Sequence, residues 1–506
     1  HRLNLLAGIS MQAFYQDSLG CKRTSVVGED ESFWYCNAGD AQGQSNFNGG
    51  FEWKMLSYLF RANYTFKDRY LFTVSMRADG SSKFGPDNRY GYFPSFAVGW
   101  NLKEEGFLRD AGAISALKLR GSWGKIGNEK IGAYPSVALV RGNLNGVFGP
   151  AQDLIFGATP IDLANPQLKW ESTTQTNLGV DGVLFHGRLA ATVDFYRKVT
   201  DGILVQVPIP NYVGAQTNAY VNAAKVRNGG VEGTFTWQGK TGALDYEIGL
   251  NGATISNKVL ALGQGKNEIL DGGLGNEVTS TTRTIVGQPI GCFWGFKVAG
   301  VFQADGDTLL FPKQGGERAG DLRFTDLNKD NAITAADRTF LGCPIPDVVY
   351  GFNTRVKWRS FDLSFNLSGQ AGNKVFNGKK AVRFGVENFE TSYLARWDGA
   401  GTSNREPRIT NAGHNYQASD RFIEDGSFLK LQTLQVGYRL PEGLAGHLGV
   451  TQARFYVSAT NLFQITNYSG YTPELTASSG SVMASGIDLG VFPPARTFTV
   501  GMDLTF

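Results

Sequence analysis

The sequence predicts an all-β chain whose long antiparallel strands form the wall of a transmembrane barrel. Three observations carry that prediction. Apolar and polar residues alternate with a period of two over stretches of about ten residues, the pattern of strands with one face toward lipid. Charged residues make up 18% of the chain while Gly counts 65 and Phe 35, a balance suited to strands and turns. Mean hydropathy is −0.20, and no run of about 18 or more apolar residues occurs, so a membrane-spanning helix is excluded while a β-barrel is not.

The clearest alternation lies in 69–108. Tyr70, Phe72, Val74 and Met76 point one way, and Leu71, Thr73, Ser75 and Arg77 the other. Asp79-Gly80-Ser81-Ser82 and Gly85-Pro86-Asp87-Asn88 are turn chemistry, and Phe93-Pro94-Ser95 opens a second strand over 96–102. Upstream, 1–16 reads as a strand, 17–50 as a polar loop, and 51–66 as a strand joined to 70–78 by a Lys67-Asp68 turn. Downstream, 117–124 is a strand and 128–167 a loop with several prolines. Strands 174–184 and 189–196 flank a tight Phe185-His186-Gly187 turn. Alternation returns at 244–251, at 361–368, and in the last ten residues up to Phe506. Further candidate loops are 263–345, 370–420 and 469–490. Short turns alternating with long loops suit a barrel with short periplasmic and long external connections. A soluble sandwich or solenoid would use strands of about five or six residues.

The wording of these stretches is more specific than their periodicity. R-x-D-G-S-S-x-F-G, then F-P-S, then a Trp and E-x-F stand in 77–107. Beyond them, in order, come NPQLKWESTTQTNLGVD (165–181), DFYRKVTDGILVQVPIP (194–210), VRNGGVEGTF (226–235) and GDLRFTDLNKDNAITAADRTFLGCPIPDVVYGF (320–352). RFIEDGSFLKLQTLQVGYRLP (421–441), FYVSATNLFQITNYSGYTPEL (455–475) and IDLGVFPPARTFTVGMDLTF (487–506) follow. Together they resemble the SusC/RagA-type TonB-dependent outer-membrane transporters. The resemblance implies the C-terminal part of a plugged 22-stranded barrel, about two-thirds of its strands. It also implies a longer polypeptide whose signal peptide, TonB box and plug domain are absent from these residues. A terminal aromatic, Phe506, resembles the signal read by the outer-membrane assembly machinery.

The implied activity is import of oligosaccharides or oligopeptides across the outer membrane of a Gram-negative bacterium. The implied partners are a SusD-like surface lipoprotein, TonB acting through the absent N-terminal region, outer-membrane lipid, and a second transporter–lipoprotein unit. A scaffold role in a larger outer-membrane assembly or secretion complex is the alternative, and a soluble glycan-binding β-protein a third. The formal net charge of +3 argues for no nucleic-acid partner.

Enzymatic chemistry has no support in the sequence. His1, His186, His414 and His447 are dispersed, without HExxH or paired spacing, and no cofactor is required. One stretch has ligand spacing. Asp326, Asn328 and Asp330 occupy positions 1, 3 and 5 of a twelve-residue calcium loop, the Ala332 carbonyl position 7 and Asp337 position 12. Asn331 replaces the usual glycine, and Asn tolerates the left-handed backbone required there. The bland reading is a loop organised by Asx-turns. The four cysteines allow three connectivities: Cys21 with Cys36 would close one polar loop, and Cys292 with Cys343 would clamp the longest insertion. Trp100, Tyr438, Phe463 and Phe506 read as interfacial girdle residues. Phe33, Trp34, Tyr35, Phe389 and Tyr393 are loop aromatics that could stack on sugar rings or pack on the protein itself.

Overall fold

A computed structural model describes the chain except residues 133–135, 138–139, 143, 161–163, 208–218, 264, 266, 276–277, 383–387, 448 and 476–480. Parts of the candidate loops 128–167, 263–345, 370–420 and 469–490, and the end of the 194–210 motif, thus lie outside the described residues.

Fourteen strands form one antiparallel sheet in which each pairs with its sequence neighbours. They are β1 (Arg2–Thr24), β2 (Asp40–Phe66), β3 (Tyr70–Ser81), β4 (Tyr90–Asn101), β5 (Ile114–Asn128), β6 (Glu171–Leu184) and β7 (Leu189–Val207). Then come β8 (Ala219–Thr241), β9 (Leu244–Thr254), β10 (Val348–Trp358), β11 (Phe361–Ala371), β12 (Phe428–Arg439), β13 (Gln452–Thr466) and β14 (Thr497–Thr505). A fifteenth strand, Ser256–Leu262, also pairs with the first half of β8. No described helix is long and apolar enough to cross a membrane, a statement that leaves strands untouched.

The register shows why the alternation predicts this wall. Direct partners share a face, so Phe72, Val98, Gly121, Leu178, Phe195 and Val231 line up across six strands on one surface. Leu178 is 60% and Phe195 52% exposed, as a lipid-facing surface requires. On the opposite surface, Thr73, Ala97, Ser122, Asn177 and Tyr196 form the corresponding polar row.

Connections alternate in kind. Those at 67–69, 185–188, 242–243 and 359–360 are tight. Lys67, Asp68, Phe185, His186 and Arg359 there have positive φ, the conformation that matches hairpin turns to strand twist. At the other end the connections at 129–170, 255–347, 372–427 and 467–496 are long, which assigns that end to the cell exterior.

The candidate loop 17–50 requires correction. β1 continues to Thr24 and β2 begins at Asp40, in register from Asp17↔Gly50 to Lys22↔Ser45. Ladder hydrogen bonds use backbone groups only, so a polar, glycine-containing hairpin pairs as well as an apolar one. The connection proper is 25–39. Likewise the predicted 117–124 and 96–102 are the middle and end of longer strands.

Two buried apolar clusters lie outside the wall. Val278, Phe293, Phe376, Phe422, Ala484 and Ile487 form one cluster, and Phe296, Val301, Leu322 and Phe324 a second. Both are built from residues in the long external connections.

Candidate functional site

Two regions can act on a solute: the polar inner face of the wall and the folded external connections above it.

Three arginines organise the inner face. Arg454 grips Asp362 with two bonds, Nε to Oδ1 at 2.9 Å and Nη2 to Oδ2 at 2.7 Å, and reaches Asp503 through Nη1 at 2.9 Å. It thereby ties β13 to β14 beside it and, across β12, to β11. Arg120 on β5 donates to Asp181 on β6 and Asp194 on β7. Arg77 donates to Asp79 on its own strand and to Ser57 on β2. A guanidinium presents several donors in a planar fork, so one arginine spans neighbouring strands and fixes their carboxylates. The inner surface is thus hydrophilic without free charge at these points.

The external connections interlock. The short strand Lys374–Phe376 pairs with Ile423–Asp425, and Phe376 also bridges Ile487. Phe376 N donates to Gly486 O and Asp488 N to Phe376 O, both at 2.9 Å. Its ring lies 6.0 Å from that of Phe293 and 5.6 Å from that of Phe422. Segments from three different connections thus share one core. Ion pairs fasten its margins. Arg408 holds Asp321 bidentately, at 2.9 and 3.1 Å; Arg421 holds Glu406 at 2.7 Å; Lys379 lies 3.1 Å from Asp488.

Glu424 accepts from Lys380 Nζ, Asn377 Nδ2, Ser469 N and Ser469 Oγ. Burial pushes its carboxyl up, but these donors outweigh burial and hold it below the usual carboxylate range. Tyr468 donates to Asp488, and burial together with that carboxylate raises the phenol.

The predicted calcium residues do converge. Carboxylate oxygens of Asp326, Asp330 and Asp337 lie within 4.8 Å of one another, while two ligands on one calcium ion stand at most about 4.6–5.2 Å apart. Asn331 has φ +66° and Lys329 φ +63°, so the left-handed turn forms without glycine. Asx-type bonds organise the same loop. Asp326 accepts from the Lys329 and Asn331 amides, Asn328 from the Asp330 amide, and Asp330 from the Ala332 amide. Asp337 accepts from the Leu327 and Thr334 amides. Burial raises its carboxyl, and the Thr334, Leu327 and Asn328 amides more than compensate, keeping it low and anionic. Each carboxylate oxygen of Asp326 and Asp330 accepts one such bond and keeps a second lone pair, so the donor set fits a hard cation.

Cys21 lies against Cys36 and Cys292 against Cys343, with Cα–Cα separations of 6.0 and 4.2 Å, each pair forming a disulfide. Trp100 stacks on Tyr70 and donates to Glu105, at the tight-turn end of the wall. Tyr438 packs on Phe361 at that same end, and Phe506 is exposed beyond β14. Phe463 is exposed on β13 toward the external end.

The loop aromatics divide. Trp34 and Tyr35 are exposed, whereas Tyr393 is 5% exposed, with the Arg421 guanidinium over its ring and Phe389 against it. Tyr393 is therefore a packing residue and no platform for a sugar. The histidines stay apart: His1 meets Tyr64, His414 the Gly315 carbonyl, and His447 the Gly443 carbonyl. The buried loop phenylalanines were missed by sequence reasoning. FWGF at 293–296 and KVF at 374–376 were the available signal, since such apolar runs are out of place in solvated loops.

The family description "TonB dependent receptor-like, beta-barrel" matches residues 13–462. The chain belongs to the TonB-dependent receptor barrel family. TonB-dependent receptor P3 of Formosa agariphila is 31% identical over 519 residues, covering 100% of this chain and 51% of the relative. TonB-dependent receptor SusC of Bacteroides thetaiotaomicron is 31% identical over 482 residues, covering 89% of this chain and 44% of the relative. A solved structure described as the RagAB peptide transporter superposes with a TM-score of 0.82 at 24% identity, over 100% of this chain and 53% of that one; that likeness shows the fold. The SusC/RagA-type resemblance of the sequence is borne out. The receptor chain spans about half the length of the curated relatives it matches. It is an outer-membrane β-barrel of a Gram-negative bacterium and is not an enzyme.

Proposed function

We propose that the receptor chain is the C-terminal barrel portion of a SusC-type importer, which takes up oligosaccharides or oligopeptides with a SusD-like lipoprotein and draws its energy from TonB. The observation that carries this reading is the shared core of three external connections. Burying Phe293, Phe376 and Phe422 together makes the three connections one unit, and a rigid rim offers a lipoprotein a preformed docking surface. The polar inner wall is consistent with passage of a hydrophilic solute. The outer edges of β1 and β14, unpaired among the described residues, would be closed in the full receptor by further strands, because lipid cannot satisfy open ladder groups. The Asp326–Asp337 loop would hold a structural calcium that stiffens the rim.

Uptake of labelled oligosaccharide and oligopeptide pools by cells with the full receptor, with and without functional TonB, tests this. TonB-dependent uptake that also disappears without the co-purifying lipoprotein is expected. Equal uptake in both backgrounds would leave the scaffold role as the better account.

A further inference from the structure

We propose that the outward face of β5–β8 binds a phosphate-bearing glycolipid of the outer leaflet. The register places this surface. Reading toward the external end, the row Gly121–Leu178–Phe195–Val231 is apolar. The next row, Trp123–Thr176–Arg197–Gly229, introduces a guanidinium, and the row after it runs Lys125–Thr174–Val199–Arg227–Lys258. One step further Ser172, Asp201 and Lys225 are partners. Successive same-face rows lie about 7 Å apart, so the surface changes from lipid-compatible to cationic within about two rows. That change falls where acyl chains give way to headgroups.

Five cations, Lys125, Arg197, Lys225, Arg227 and Lys258, meet one carboxylate there. Asp201 pairs with Lys225 at 3.1 Å; among the described residues no ion pair engages the other four. A depression of about 450 Å³ opens beside Lys125, Arg197 and Lys225, lined with them by Trp123, Val199 and Asp201, while Arg227 and Lys258 extend the band beyond it. Arg197 and Lys258 are exposed and Lys125, Lys225 and Arg227 half-buried, and basic groups at a membrane surface attract anionic headgroups. From Lys125 to Lys258 the band crosses four strand spacings, about 19 Å, wider than one free phosphate ion and suited to a sugar headgroup carrying phosphate. A second copy of the receptor is disfavoured, since a two-fold contact would set two cationic bands against each other.

The test uses the full-length receptor in detergent and native mass spectrometry with phosphorylated lipid A, the same lipid A after phosphatase treatment, and inorganic phosphate. Retention of phosphorylated lipid A is expected to exceed that of the dephosphorylated form at least tenfold. The K125Q/R197Q/R227Q/K258Q receptor is expected to lose that preference, and D201N to strengthen it about twofold. D201N removes no cation, so it keeps the test decisive if the quadruple variant fails to assemble. Equal retention of both lipids, an unchanged quadruple variant, or saturation by inorganic phosphate at the same concentration would each overturn the proposal.

Discussion

Truncating Phe376 to alanine tests whether the external connections are one cooperative unit. Phe376 is fully buried, its ring packs against Phe293 and Phe422, and its backbone joins Gly486 and Asp488. Removing a fully buried phenylalanine ring costs about 3–5 kcal/mol, transfer and cavity terms together. The backbone bonds survive, so the loss is confined to packing. At about 1.4 kcal/mol per factor of ten, opening of the unit becomes about 10²- to 4 × 10³-fold more frequent. Hydrogen exchange of the purified receptor reads this directly. Amides of 278–296, 418–423 and 484–488 are expected to lose protection together, although they belong to three connections, while β5–β7 keep theirs. Loss confined to 374–378 would refute the argument, because it would show the three segments folding independently.

Four further outcomes are expected. The Glu424 carboxyl sits below its ordinary value, so its contribution is fully present above the unfolded pKa of about 4.3 and is lost as pH falls through the lower folded value. Acid titration of loop protection is expected to show that loss, and E424Q to remove that component. Replacing Cys292 and Cys343 by serine opens a 51-residue connection, and chain entropy sets the cost near 4 kcal/mol; protease cleavage within 292–343 is expected to accelerate. Calorimetry is expected to detect calcium binding in the 10⁻⁴–10⁻³ M range typical of extracellular sites, abolished in D326A/D330A; no heat at millimolar calcium would leave the Asx-turn loop as the whole account. R454A leaves Asp362 and Asp503 without their shared partner, and removing one member of a part-buried pair costs up to about 3 kcal/mol; heat-modified migration of the barrel is expected at lower temperature.

The wall was legible because alternation is a local signal. Tyr70, Phe72, Val74 and Met76 announce an outward face without knowledge of any neighbour. The external core was not legible. Its members Phe293, Phe376, Phe422 and Ile487 are scattered over 195 positions (487 − 293 + 1), and nothing local marks them as partners. The extension of β1 and β2 past Gln16 was hidden for the opposite reason: backbone pairing leaves no trace in side-chain polarity. The calcium-type loop was readable from spacing alone, since all its donors lie within twelve consecutive residues. The cationic band sits between these cases. Each cation is visible in the sequence, but only register puts Lys125, Arg227 and Lys258 in one row.

The shared core also limits how such receptors can be re-engineered. A graft of one external connection from a relative would arrive with half of a hydrophobic interface and meet the wrong other half. Phe376 alone answers to the segments around both Phe293 and Ile487. The transferable module is therefore the trio of connections 255–347, 372–427 and 467–496, moved together onto a host wall.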